Sequence, residues 1–99
     1  MHRLRPSLVL VLLFVATTAC FRTFNVRNFP SSVALYRAGM AEYERGKYSN
    51  AITAFERLTF DLPTRDTLLP RAHWWLGQAR RKNDERLLAA QSFSRVAEQ

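Results

Sequence analysis

Leu35-Tyr36-Arg37-Ala38-Gly39, then Gly46-Lys47-Tyr48-Ser49-Asn50-Ala51-Ile52, then Ala54-Phe55, Leu58 and Leu62-Pro63, is the stretch whose reading decides the fold. Ala51, Ala54, Phe55, Leu58 and Leu62 follow the i, i+3, i+4, i+7 spacing, so on a helix they share one face. Pro63 has no backbone N–H to give and ends that helix. Gly46-Lys47 is a tight break before it, so the segment reads as two helices folded back on each other.

The pattern returns 38 residues later. Ala34, Gly39, Ala41, Ala51, Phe55 and Arg57 superpose on Ala72, Gly77, Ala79, Ala89, Phe93 and Arg95, six identities among the 29 pairs from Val33/Arg71 to Asp61/Gln99. Tyr36/Trp74 and Leu58/Val96 keep the same chemistry. The break of the second unit falls at Asn83-Asp84, and Thr64-Arg65-Asp66-Thr67 connects the units to a helix whose first turn can hold Pro70. A repeat of this period means stacked supersecondary units, each unable to bury its apolar face alone. The expected fold is all-α, an α-solenoid of helical hairpins with about two repeats over residues 32–99, the second cut short.

Outward from this region, the 47% hydrophobic content of the 99 residues is concentrated in one N-terminal block. Arg3 and Arg5 precede twelve uncharged residues, Leu8 to Ala19, and every acidic residue lies at Glu42 or later. A basic start, an apolar stretch and small residues Thr17-Thr18-Ala19 predict a secretory signal peptide over residues 1–19. A spanning helix needs about 20 apolar residues, so an uncleaved anchor would have to thin the bilayer or bury Arg22. The 80 residues that follow carry 13 basic and 8 acidic side chains, a net of +5. That is near the lower limit for a self-sufficient core and small for a complete enzyme. One apolar block also excludes a polytopic membrane protein.

The only cysteine, Cys20, stands directly after the small residues. Ala16-Thr17-Thr18-Ala19-Cys20 resembles the bacterial lipobox, with Thr17 where Leu or Val is usual. The resemblance implies that Cys20 becomes diacylglyceryl-modified and then the mature N-terminus; the plain alternative is a lone cysteine closing a hydrophobic stretch. Acyl chains contribute about 0.8 kcal/mol per buried CH₂, and two or three hold a protein stably on a membrane. Residues 20–31 then read as a lipidated tether. Phe21 to Ser32 has neither helical nor strand periodicity and ends in Pro30-Ser31-Ser32, a loop with N-cap candidates. Its three phenylalanines either touch a partner or lipid headgroups, or pack on the first helix.

The two hairpins resemble tetratricopeptide repeats. In that pattern Gly39 and Gly77 let antiparallel helices approach, Ala51 and Ala89 sit at the tightest crossing, and Phe55 and Phe93 fill the space beside them. The second unit departs from it, with Asp84 in place of the turn glycine and Arg86 in place of a tyrosine. The usual period is about 34 residues, so the longer offset implies a short insertion around Thr64–Leu69. With Cys20 and Arg71-Ala72-His73-Trp74-Trp75-Leu76-Gly77, the chain is similar to the BamD family, outer-membrane lipoproteins of the β-barrel assembly machinery of Gram-negative bacteria. The resemblance covers about Ser32–Gln99 plus Cys20. Family members carry about five repeats, which implies that this chain is an N-terminal fragment.

What the resemblance implies is a scaffold lipid-anchored at the periplasmic face of the outer membrane. Its partners would be other subunits of an envelope assembly complex or unfolded barrel precursors, held on the concave face made by the first helices. The positions that match the groove are Val33, Tyr36, Met40, Tyr43 and Glu44, with Arg71, Trp74, Gln78, Arg81 and Lys82; the central set is Tyr36, Met40, Tyr43, Trp74, Gln78 and Arg81. Rings interleaved with basic groups suit an extended peptide bearing aromatic side chains and a carboxylate, because rings bury large areas and Arg pairs with carboxylates in a fork. Against this stands a plainer reading, in which Tyr36 and Trp74 only pack between helices. Likewise Arg80-Arg81-Lys82 would be a solvated end at the negative pole of a helix dipole.

Nothing in the sequence points to catalysis. His73 is the only histidine after residue 2, and no serine, cysteine or carboxylate surrounds it in a catalytic spacing. Metal binding needs several ligands at set distances, which Cys20 and His73 do not provide. Gly39, Gly46 and Gly77 are too far apart for a phosphate loop. No enzyme, metal or cofactor is expected. The basic residues are spread along the helices of an exported chain, so nucleic acid is not an expected partner. The alternative function is a general periplasmic tetratricopeptide adaptor that coordinates cell-wall or division proteins.

Overall fold

The computed structural model describes residues 23–98; the expected signal peptide and Cys20 lie outside them. Four helices follow one another, α1 Ser32–Glu44, α2 Tyr48–Asp61, α3 Leu68–Lys82 and α4 Arg86–Glu98, after a 3-10 turn at Val26–Asn28. There is no strand among the described residues. None of their helices is long and apolar enough to cross a membrane.

Each hairpin is closed by the same turn. Ser31 starts α1 by accepting a hydrogen bond from the Ala34 N–H at 3.1 Å, which satisfies one of the donors a helix start leaves open. At the other end Gly46 lies at φ +77°, its N–H donating to the Tyr43 carbonyl at 3.0 Å while the Lys47 N–H donates to Glu42 at 2.9 Å. This pair of reversed bonds is the Schellman termination. One repeat later Asp84 lies at φ 63°, its N–H donating to Arg81 at 3.2 Å and that of Glu85 to Arg80 at 2.8 Å. The residue that departs from the glycine pattern thus adopts the glycine's conformation, which Asp tolerates better than most side chains.

Between the hairpins, Leu62 is extended and Pro63 follows. The Asp66 carboxylate accepts from the Leu68 N–H at 2.9 Å, at the start of α3. Pro70 is the third residue of α3, where no intrahelical N–H bond is lost.

The core runs through both hairpins and contains Leu35, Ala51, Ile52, Ala54, Phe55, Leu58, Ala72, Leu76 and Ala79, with Phe55 and Leu58 completely enclosed. The helix approach is closest at the glycines. A methyl group built on Gly39 would sit 3.0 Å from the Phe55 ring, and one on Gly77 would sit 2.6 Å from the Phe93 ring. The two rings differ in cover, Phe93 being only half-buried. The reason is position, since α2 lies between α1 and α3, whereas α4 packs chiefly on α3.

Ahead of α1, Phe24 and Phe29 stack with centroids 5.6 Å apart and, with Val26, pack against the core beside α2. From Phe24 onward the segment read as a tether is therefore folded onto the first hairpin. It lacks periodicity because its order comes from two rings and an Asn25 side chain that accepts from the Arg27 N–H at 3.0 Å.

Two glycine substitutions separate the two physical roles. Gly46→Ala meets nothing within 4 Å, so its cost is the left-handed backbone alone, about 1 kcal/mol. Gly77→Ala must displace the Phe93 ring, an overpacking of about 1–3 kcal/mol that is partly offset by roughly 1 kcal/mol of helix propensity. Urea unfolding followed by circular dichroism should show both losses, and Phe93→Leu should relieve only the second. Relief of both would contradict this division.

Candidate functional site: the face of the first helices

The predicted groove positions lie on α1 and α3, the first helix of each hairpin. In the first unit the Tyr36 ring meets Phe55 edge-on at 5.9 Å, and in the second Trp74 meets Phe93 at 5.1 Å. The repeat thus reproduces its aromatic contact, but not its exposure. Tyr36 is half-buried on the core, and Met40 packs there too. Trp74 leaves 44% of its surface in solvent.

Tyr43 is the middle of a ladder. Its ring lies 5.4 Å from Tyr48 on α2 and 5.4 Å from Trp75 on α3, edge-on to both. Edge-to-face pairs of this kind add about 0.5–1.5 kcal/mol beyond the area they bury, and here they join the two hairpins. Trp75 was not among the expected positions. Its signal was the Trp74-Trp75 doublet, but its repeat equivalent is Arg37, so register gave no aromatic precedent.

On α3, Trp74, Gln78 and Arg81 are spaced i, i+4, i+7 and share a face. The Gln78 Oε1 accepts from Arg81 Nε at 3.2 Å and from its terminal nitrogen at 3.1 Å, which holds the guanidinium over that face. Neither Arg71 nor Arg81 has a carboxylate within ion-pair distance among the described residues, whereas Arg45, Arg57, Arg80, Arg86 and Arg95 each do. Val33, Glu44, Arg71 and Lys82 are exposed at the edges. Of the central set, then, Trp74 and Arg81 stand exposed on one face with the half-buried Gln78 between them, while Tyr36, Met40 and Tyr43 are partly committed to the core.

Arg80 departs from the solvated helix end that its run suggests. Its side chain is only 15% exposed, one terminal nitrogen lying 3.4 Å from Glu56 on α2 and the other donating to Ser92 Oγ on α4 at 2.8 Å. Its Nε is buried without a hydrogen-bond partner. The run of three cations hid this because only its first member points inward; Arg81 and Lys82 stay exposed at the negative pole of α3.

His73 occupies the position of buried Leu35 in the first unit and is half-buried. Burial lowers its pKa below 6.5; the nearby Arg95 and Arg80 act in the same direction, and Glu98 opposes them. Among the described residues no group of three His, Cys, Asp or Glu side chains is placed to hold a metal.

Two hairpins that repeat one turn, one glycine–phenylalanine approach and one aromatic contact define an all-α tetratricopeptide-repeat fold. This is a class of non-enzymatic repeats that serve as protein–protein interaction scaffolds. A family model described as "Tetratricopeptide repeat" matches residues 33–59, which span α1, the Gly46 turn and most of α2. Comparison with curated proteins gave no match, and neither did comparison with solved structures.

The His73 environment predicts a pH dependence. Its folded pKa lies below 6.5, so the unfolded chain takes up the proton first. His73 therefore adds no penalty above 6.5, and stability falls as pH drops from there through the folded value. His73→Leu, which copies the first repeat, should remove that slope. Urea midpoints at about pH 7.5 and about pH 5.5 should converge in the variant relative to the parent, and equal slopes in both would refute the assignment.

Proposed function

We propose that the chain is a lipid-anchored tetratricopeptide scaffold of the bacterial envelope, a component of outer-membrane β-barrel assembly held at the periplasmic face through Cys20. The observation that carries the binding role is the line Trp74, Gln78, Arg81 on α3, exposed at both ends, with Arg71 near it and neither arginine paired to a carboxylate among the described residues. A ring offers apolar contact area, and a guanidinium fixed by Gln78 offers two parallel donors to a carboxylate. An extended segment with aromatic side chains and an acidic group or a C-terminus satisfies both, and unfolded barrel strands and partner-subunit tails are of that kind. The lipobox-like residues before Cys20 and the BamD-like arrangement of the repeats support the location and the role.

Binding of an unfolded barrel segment to the lipidated protein tests this. Trp74→Ala should weaken it by about 2 kcal/mol, the scale of an interfacial hot spot, with helix content unchanged by circular dichroism. Arg81→Glu should weaken it by an amount that shrinks as salt is raised, since exposed charges are screened over about 8–10 Å. A folded double variant that binds like the parent would rule out this face as the working surface. Labelled palmitate should enter the parent and be absent from Cys20→Ser; equal incorporation would sink the anchor.

A further inference from the structure

Phe60 is the large apolar side chain that the repeat leaves unused. It is 84% exposed, the most of any large hydrophobic residue among those described, and its repeat equivalent is Glu98. It is not isolated. With Val26, Thr53, Glu56, Arg57 and Thr59 it lines a shallow depression of about 710 Å³ on the outer side of α2, beside the 3-10 turn. Glu56 is paired with Arg80 and Arg57 with Asp61 at 2.7 Å, whereas Arg27, exposed on that turn, has no carboxylate within ion-pair distance among the described residues.

We propose that this face, Phe60 with Val26 and Arg27, rests on the lipid headgroups as a second membrane contact. The inference depends on the lipid-anchor reading of Cys20. Its basis is reach. The chain from Cys20 to Thr23 can extend no more than about 11 Å, and to Val26 no more than about 22 Å, roughly two helix diameters at most. A lipidated Cys20 therefore keeps the surface around Val26 within about 22 Å of the acylated end, close enough for it to rest on the headgroup layer. Phe24 and Phe29 are engaged with each other and the core, so among the described residues beside that turn Phe60 is the exposed aromatic ring. An arginine beside an apolar residue, as Arg27 is beside Val26, suits that layer, because its stem lies on apolar surface while the guanidinium group stays among phosphates.

The acyl chains supply the anchoring, so the contribution of Phe60 is orientation. α1 packs on another side of α2. Contact through Phe60 therefore turns α1, and the face it shares with α3, away from the bilayer.

The test uses the lipidated chain carrying Phe60→Cys, or Arg86→Cys at the far hairpin as reference. Acylated Cys20 has no free thiol, so an environment-sensitive dye reacts only at the introduced position. In vesicles of phosphatidylethanolamine and phosphatidylglycerol, the dye at position 60 should shift to the blue and lose intensity to a headgroup-level nitroxide lipid. The dye at position 86 should do neither. Water-like emission at position 60 on vesicle-bound protein overturns the proposal while leaving the anchor intact. A blue shift without quenching by the lipid also overturns it, since a second copy or a protein partner then covers the face. Failure of the anchor itself is read separately, from palmitate incorporation.

Discussion

A phenylalanine lying against a glycine holds each hairpin together. At Gly39 the ring of Phe55 occupies the space where a Cβ would stand, 3.0 Å away, and at Gly77 Phe93 comes closer still, to 2.6 Å. Without that approach the helices would separate, and the completely buried Ala54, whose methyl lies 3.1 Å from the Cβ position of Gly39, would face a gap. The same rings give Tyr36 and Trp74 their neighbours at 5.9 and 5.1 Å. The placement of the candidate binding face is therefore a consequence of core packing, because the ring that fills the crossing also orients the aromatic residue beside it.

The two hairpins use this common frame differently. Leu35, Met40, Tyr43 and Ile52 of the first correspond to His73, Gln78, Arg81 and Ala90 of the second. The first unit thus devotes its equivalent positions to burial, whereas three of the four in the second, His73, Gln78 and Arg81, carry hydrogen-bonding groups. Arg80 links the units by reaching Glu56 and Ser92. Glu56 is more than half exposed, so the ion pair contributes little, and the unpartnered Nε is a cost. The favourable part of Arg80 is then the stem packed between helices and the bond to buried Ser92.

Most of this architecture was legible because periodicity and punctuation agree. The spacing from Ala51 to Leu58, the glycine at 46 and the proline at 63 give one hairpin, and the 38-residue register transfers it to the second. Legibility stopped where a residue's role depends on closure of the fold. Asn83-Asp84 marks the second break, but that Asp84 itself takes the glycine's left-handed conformation is imposed by the hairpin it terminates. Arg80 looks like its two neighbours until α2 and α4 pack beside it. The packing of Phe24 and Phe29 follows no period because it belongs to an irregular segment, so their choice between solvent and core could be seen only in three dimensions. Register indicated the positions of the candidate site but left open whether Tyr36 packs on the core, where it and Met40 are half-buried.

The exposed features fall on separate elements, and that separation bears on how a scaffold tied to a surface can work. Trp74, Gln78 and Arg81 are on α3, while Phe60 and Arg57 are on the outer side of α2. They share no side chain, so occupying one face does not require vacating the other. An extended segment lying along α1 and α3 needs both termini free to leave the groove, which a bilayer pressed against that face would prevent. On the proposed anchoring, the reach from Cys20 to Val26 is about 22 Å at most, and distance alone gives the groove little clearance. Orientation would then provide it, and the exposed Phe60 ring with Arg27 beside the 3-10 turn is the means the proposal assigns to it.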